Sequence, residues 1–158
     1  MSEEHHFLLQ RVQPALSGLM DGSLSTLAPI FAVVLATHDP LTAFFTGLAT
    51  ALGAGVSMAF SEGLSDTGEE TGRGSPLQRG AITGLGTFAG GVFHTLPFLI
   101  PNYHAAVVAA AIVVGFELVA LAVIRWRFFD TGFLKSLLAI SVGGAVIAVV
   151  GALIGSTG

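Results

Sequence analysis

Met58 and Glu62 stand four residues apart, so one helical turn puts a thioether and a carboxylate on the same face. Asp21 opens an apolar run whose polar boundary falls at the same depth, which brings a second carboxylate to that level. Carboxylates alone favour Mg²⁺ or Ca²⁺; adding a sulfur ligand shifts the preference towards Fe²⁺ and its transition-metal neighbours. Two further ionisable residues, His94 and Glu117, lie well inside apolar runs. An unpaired charge at mid-membrane costs at least ~2.5–3.5 kcal/mol on insertion scales, so Glu117 must be protonated, paired or facing water. Its functional reading is a proton carrier or inner metal ligand, with His94 as a second proton or metal site. Each residue also has a plainer reading. Met58 packs, Glu62 marks the end of a span, Asp21-Gly22 caps a helix, and a Glu117–His94 hydrogen bond fixes helix packing.

Long apolar runs position these groups. They cover residues 22–37, 40–61, 80–100, 105–124 and 136–158 of the 158-residue chain, which is 53% hydrophobic and 10% charged. With a mean hydropathy of +0.82, a water-soluble globular class is excluded. The first run is short for a hydrocarbon core of ~30 Å, and extending it back to Pro14 restores the length and places Asp21 inside the span. Arg11, Arg73, Arg79, Arg125, Arg127 and Lys135 fall in alternate gaps between the runs, while His38-Asp39, residues 101–104 and the C-terminal end carry no Lys or Arg. Cytoplasmic loops collect basic residues, so the expectation is an all-α integral membrane fold with five spans, N-terminus inside and C-terminus outside.

Residues 1–158 read as one domain, with a short interfacial helix over 1–13 carrying a Leu8, Val12, Leu16, Leu19 stripe, and a cytosolic loop over 62–79. No internal repeat is visible. Small residues recur at helical spacing: Gly47, Ala51, Gly55 and Ala59; Gly144, Ala148, Ala152 and Ser156; and the pairs Gly80-Gly84 and Gly86-Gly90. Such stripes let membrane helices approach closely. Pro29 and Pro97 are expected to kink their runs, and Trp126 and Tyr103 to mark the inner and outer interfaces.

Other signals exclude more than they assign. A net charge of −4 without a basic cluster argues against nucleic acid. Zero cysteines exclude disulfides, Fe–S clusters and thiolate metal sites. Glu3, Glu4, His5 and His6 lead where a signal peptide would carry a basic region. Asp66-Thr67-Gly68 and Asp130-Thr131-Gly132 spell the aspartic-protease triplet, but both sit in short loops where these residues are ordinary caps and turns. No P-loop, nucleophile elbow or zincin motif is present, so no enzyme activity and no permanently bound cofactor are expected.

The Asp-Gly of MDGSLSTLAPIFAVV, the stretch GAGVSMAFSEGLSD and the segment GGVFHTLPFLIP together resemble the vacuolar iron transporter family. The likeness extends from about Leu16 to the end, and is greatest to the transporter half of membrane-bound ferritin, the erythrin–vacuolar iron transporter fusions. That resemblance implies a homodimer with its pathway at the subunit interface, exporting Fe²⁺ from the cytosol in exchange for protons, with Mn²⁺ as a second ion. It carries pathway roles to Asp21, Met58 and Glu62. Eukaryotic relatives insert a metal-binding helical domain where this chain has a short loop, and the fusions carry a ferritin-like domain where it has a leader. A separate ferritin-like partner is therefore an expectation, as is residence in a bacterial inner membrane. The alternative is a non-transporting membrane anchor or regulatory subunit for such a partner.

Overall fold

The computed structural model describes residues 3–129 and 132–157, and every regular element among them is helical. In chain order these are α1 (Glu3–Phe7), a π-helical turn (Leu8–Val12), α2 (Gln13–Ser25), α3 (Leu27–Thr37), α4 (Pro40–Gly63), α5 (Pro76–Phe93), a 3₁₀ turn (Leu96–Leu99), α6 (Tyr103–Phe128) and α7 (Phe133–Gly155). The second protease-like triplet has Asp130 and Thr131 outside the described residues.

Among the described residues, four helical stretches are long and apolar enough to cross a membrane: Glu3–Thr37 (35 residues), Pro40–Gly63 (24), Tyr103–Phe128 (26) and Phe133–Gly155 (23). This is a multi-helix chain of membrane-protein character. The run over 80–100 behaves differently. Its helix α5 has 18 residues and stops at Phe93, and glycine and threonine dilute its apolar content. The chain then turns through His94 and Thr95 into the 3₁₀ turn containing Pro97, because proline has no N–H with which to continue an α-helical ladder.

The leader residues run into the first span without a loop. A π turn over Leu8–Val12, where the Gln13 N–H reaches back to Leu8 O, accommodates the proline that follows at position 14. The Leu8–Leu19 stripe faces inwards: Leu16 is buried, Leu8, Val12 and Leu19 are partly so, and Arg11 is exposed. A second irregularity falls at Thr26, where α2 gives way to α3. Pro29 lies three residues on and cannot donate to the Ser25 carbonyl, which locates the cause of the break.

α5 lies between α2 and α4 with backbones in contact on both sides. A Cβ on Gly18 or Gly22 of α2 would collide with the carbonyl oxygens of Thr83 and Thr87, and a Cβ on Gly80 or Gly84 would come within 2.6 Å of Ala59 O and 2.7 Å of Gly55 O on α4. Gly86 and Gly90 face the opposite way, against Ala15 and Leu19 of α2. The two small-residue pairs of α5 thus serve different neighbours. On α7 the buried glycines are Gly144, Gly151 and Gly155, the last two against Ala28 and Ala32 of α3, whereas Ala148 and Ala152 are partly exposed and Ser156 exposed. The close contact on α7 therefore follows a different stripe from the even four-residue spacing in the sequence.

Two apolar clusters result. One joins Ile30, Val34, Ala43, Phe98, Ala106 and Ala110; the other joins Leu16, Leu121, Ala122 and Ile140. Buried Thr26 on the α2–α3 stretch and buried Glu117 on α6 both lie between them in the chain.

Candidate proton and metal site

His94 occupies the C-cap of α5, where the helix has ended, and its side chain bridges the α2–α3 junction and α6. It is 1% exposed, and Glu117 is 8% exposed. His94 Nδ1 lies 2.8 Å from Glu117 Oε2, and His94 Nε2 lies 2.7 Å from Thr26 Oγ1. Thr26 Oγ1 in turn donates to Gly22 O at 2.8 Å. A hydroxyl has one hydrogen, and a carbonyl oxygen only accepts. With the Thr26 hydrogen on Gly22 O, His94 Nε2–H donates to Thr26 Oγ1. One further proton then lies between Nδ1 and the carboxylate. Whether it rides on His94 or Glu117, the pair is neutral overall, which is how two ionisable groups are held in an apolar interior. Both nitrogens of His94 are engaged, so neither offers a lone pair to a metal ion in this arrangement.

The proposed ion ligands lie elsewhere on the bundle. Asp21 sits on α2 between Gly18 and Gly22, whose contacts on α5 are Thr83 and Thr87; Met58 sits on α4 between Gly55 and Ala59, whose contact on α5 is Gly84. The two residues therefore flank the same turn of α5, and both are partly buried. Met58 and Glu62 share the inward face of α4 with Ala51 and Gly55, as their spacing requires.

Glu62 is not an unengaged ligand. Its Oε1 accepts from Arg73 Nη2 and, at 2.8 Å, from Arg79 Nε. Arg73 Nη1 also reaches Asp66 Oδ2 at 2.8 Å, and Arg79 Nη2 lies 3.3 Å from Asp66 Oδ1. Arg79 is fully buried and additionally donates to Gly74 O at 2.8 Å and Asp66 O at 3.2 Å. Two carboxylates and two guanidiniums thus fold the 64–75 loop against the head of α5. Gly68, Gly72 and Gly74 take positive φ there, and Gln10 of the leader donates to Gly72 O at 3.1 Å. Burial raises the Asp66 carboxyl, but hydrogen bonds from Arg73 and Thr71, the Arg79 charge and the Gly68 N–H outweigh it and hold the group below its usual range. Asp66 of the protease-like triplet is therefore half of an ion-pair clamp.

Among the described residues no three His, Asp or Glu side chains form a metal-binding group. Asp21, Met58 and Glu62 contain only two such residues. Spacing arguments passed over Thr26, Arg79 and Thr83. Thr83 Oγ1 is, among the described residues, the one buried side-chain polar atom without a hydrogen-bond partner. It sits on the α5 turn that Asp21 and Met58 flank. A threonine in an apolar run gives no sequence signal of this kind, because its usual bond to the carbonyl four residues back hides the exceptions.

Set against protein families, curated proteins and solved structures, the chain matches none.

Proposed function

We propose that the chain is a proton-coupled exporter of divalent transition-metal ions, Fe²⁺ with Mn²⁺ as a second ion, working as a homodimer in a bacterial inner membrane. The observation that carries this reading is the His94–Glu117 pair: two ionisable groups hydrogen-bonded to each other and buried among apolar helices. In this reading α5 and its 3₁₀ extension supply the fifth crossing, with N-terminus in and C-terminus out. The leader, the 64–75 loop with the start of α5, and the facing ends of α6 and α7 then gather the six Lys and Arg at the cytosolic end.

The ion is held by Asp21, Met58 and Glu62, and the proton by Glu117 with His94. Backbone contact between α5 and both its neighbours closes those two seams, which favours a pathway along a face shared with a second copy. Withdrawal of Arg73 would leave Glu62 held by Arg79 alone and more open to an ion. Arg73, on the glycine-rich loop and 22% exposed, is the more accessible of its two partners, Arg79 being fully buried.

A second reading, an anchoring or regulatory subunit for a ferritin-like partner, gains from that same engagement of Glu62, which holds the loop as a structural clamp. Calorimetric Mn²⁺ titration of purified protein separates the two. The transporter reading expects saturable binding that Asp21→Asn and Glu62→Gln abolish and Glu117→Gln leaves in place; absence of binding in the unaltered protein favours the anchor.

A further inference from the structure

The geometry points to Thr26 as the positioning residue that links the proton on the His94–Glu117 pair to the carbonyl beside Asp21. The inference rests on the roles given above to Glu117 and Asp21, and adds the connection between them.

Thr26 Oγ1 stands between two partners with one hydrogen to give: Gly22 O at 2.8 Å and His94 Nε2 at 2.7 Å. The carbonyl can only accept. The imidazole nitrogen donates when protonated and accepts when not. With two protons on the pair, Nε2–H donates to Thr26 and the hydroxyl hydrogen stays on Gly22 O. When one proton leaves Nε2 for water, the ring keeps Nδ1–H, which donates to the Glu117 carboxylate. Bare Nε2 then needs a donor, and the hydroxyl hydrogen turns from Gly22 O to Nε2. No covalent bond other than N–H is broken. The pair passes from neutral to a net charge of −1, and the Gly22 carbonyl loses its hydroxyl donor.

Both consequences favour a cation. Gly22 is the neighbour of Asp21, so an oxygen acceptor becomes available one residue from the proposed ion ligand, while a negative charge appears one helical turn beyond. Ion binding at Asp21 and proton loss from the pair therefore reinforce each other, and the linkage is reciprocal. Few other charges compete. α3 has no ionisable residue before His38, α4 none between Asp39 and Glu62, α5 none between Arg79 and His94, and α7 none after Lys135. Along α6 the nearest ionisable neighbours of Glu117 are His104 and Arg125. Asp21 on α2 is the group that shares this stretch of the bundle.

The test is solid-state NMR of metal-free protein in lipid bilayers, following the His94 ¹⁵N shifts and the Gly22 carbonyl ¹³C shift against pH. In the unaltered protein both should move with one midpoint. Thr26→Ser keeps the hydroxyl and should keep the co-titration. Thr26→Val keeps the shape; there His94 should still titrate while the Gly22 carbonyl stops responding. A Gly22 shift that ignores His94 titration in the unaltered protein overturns the proposal, as does one that follows it equally in Thr26→Val. Neither readout needs transport, so the link stands or falls separately from the exporter reading. If Thr26→Val fails to fold, the unaltered and Thr26→Ser proteins still decide.

Discussion

His94 Nδ1 and Glu117 Oε2 lie 2.8 Å apart, joining the broken end of α5 to the middle of α6. The contact has two consequences. It ties the end of α5 to α6, and it places a proton between two groups of opposite tendency within an apolar core. The first is a packing role and the second a chemical one, and substitution separates them.

Glu117→Gln retains a donor for His94 Nδ1 but has no proton to release. We expect normal folding and thermal stability with proton-coupled flux lost. Glu117→Leu leaves Nδ1 without a partner and should lower stability by about 1–3 kcal/mol, the cost of a buried unsatisfied group. Flux and melting temperature of both variants check this; full proton-coupled flux in Glu117→Gln means that the pair only holds helices together.

Met58→Leu keeps volume and removes sulfur. Fe²⁺ transport should fall more than Mn²⁺ transport, since sulfur favours the softer ion. An equal effect on both ions in competition assays makes Met58 a packing residue on α4.

Arg73 and Arg79 bind the same carboxylates in different surroundings, 22% and 0% exposed. Arg73→Gln should loosen the loop at small cost and tighten Mn²⁺ binding by freeing Glu62. Arg79→Gln removes a buried guanidinium from its acceptors and should cost about 3–5 kcal/mol. Calorimetry and thermal unfolding measure the contrast.

Asp66 gives the loop a pH dependence. Its folded-state carboxyl is held below the ordinary value, so its stabilising contribution is complete above about pH 4 and lost as pH falls through the folded value. Amide protection in 64–75, corrected for intrinsic exchange, should drop in that acid range while α4 and α5 stay protected. Asp66→Asn should weaken the protection at neutral pH and remove the acid step.

The helices themselves were largely legible in the sequence, because long apolar runs in a chain 53% hydrophobic have few other ways to satisfy their backbones. The pairs Gly80-Gly84 and Gly86-Gly90 announced close approach, but not that they face different neighbours, since spacing gives a face and not its partner. The His94–Glu117 bond was foreseeable as one of two readings. The clamp of Glu62 by Arg73 and Arg79 was not, because charges seventeen residues apart meet only through the turns at Gly68, Gly72 and Gly74. Thr26 escaped for a different reason: its role depends on a helix break that Pro29 causes three residues later.

Gly22→Ala tests the α2–α5 contact on which both sites depend. The added methyl meets the Thr87 carbonyl, whereas Gly53, with open space around it, accepts one freely. Gly22→Ala should therefore destabilise by about 1–3 kcal/mol, and Gly53→Ala should stabilise by up to about 1 kcal/mol. Melting in detergent gives both values.

The central claim is exchange of metal for protons. Purified protein in liposomes carrying an internal pH dye tests it directly, with Fe²⁺ or Mn²⁺ added on one side. The account predicts metal uptake accompanied by proton movement in the opposite direction, both abolished by Asp21→Asn, with Glu117→Gln removing the proton movement. Metal addition that loads no ion, or that loads it without moving protons, in the unaltered protein would contradict it.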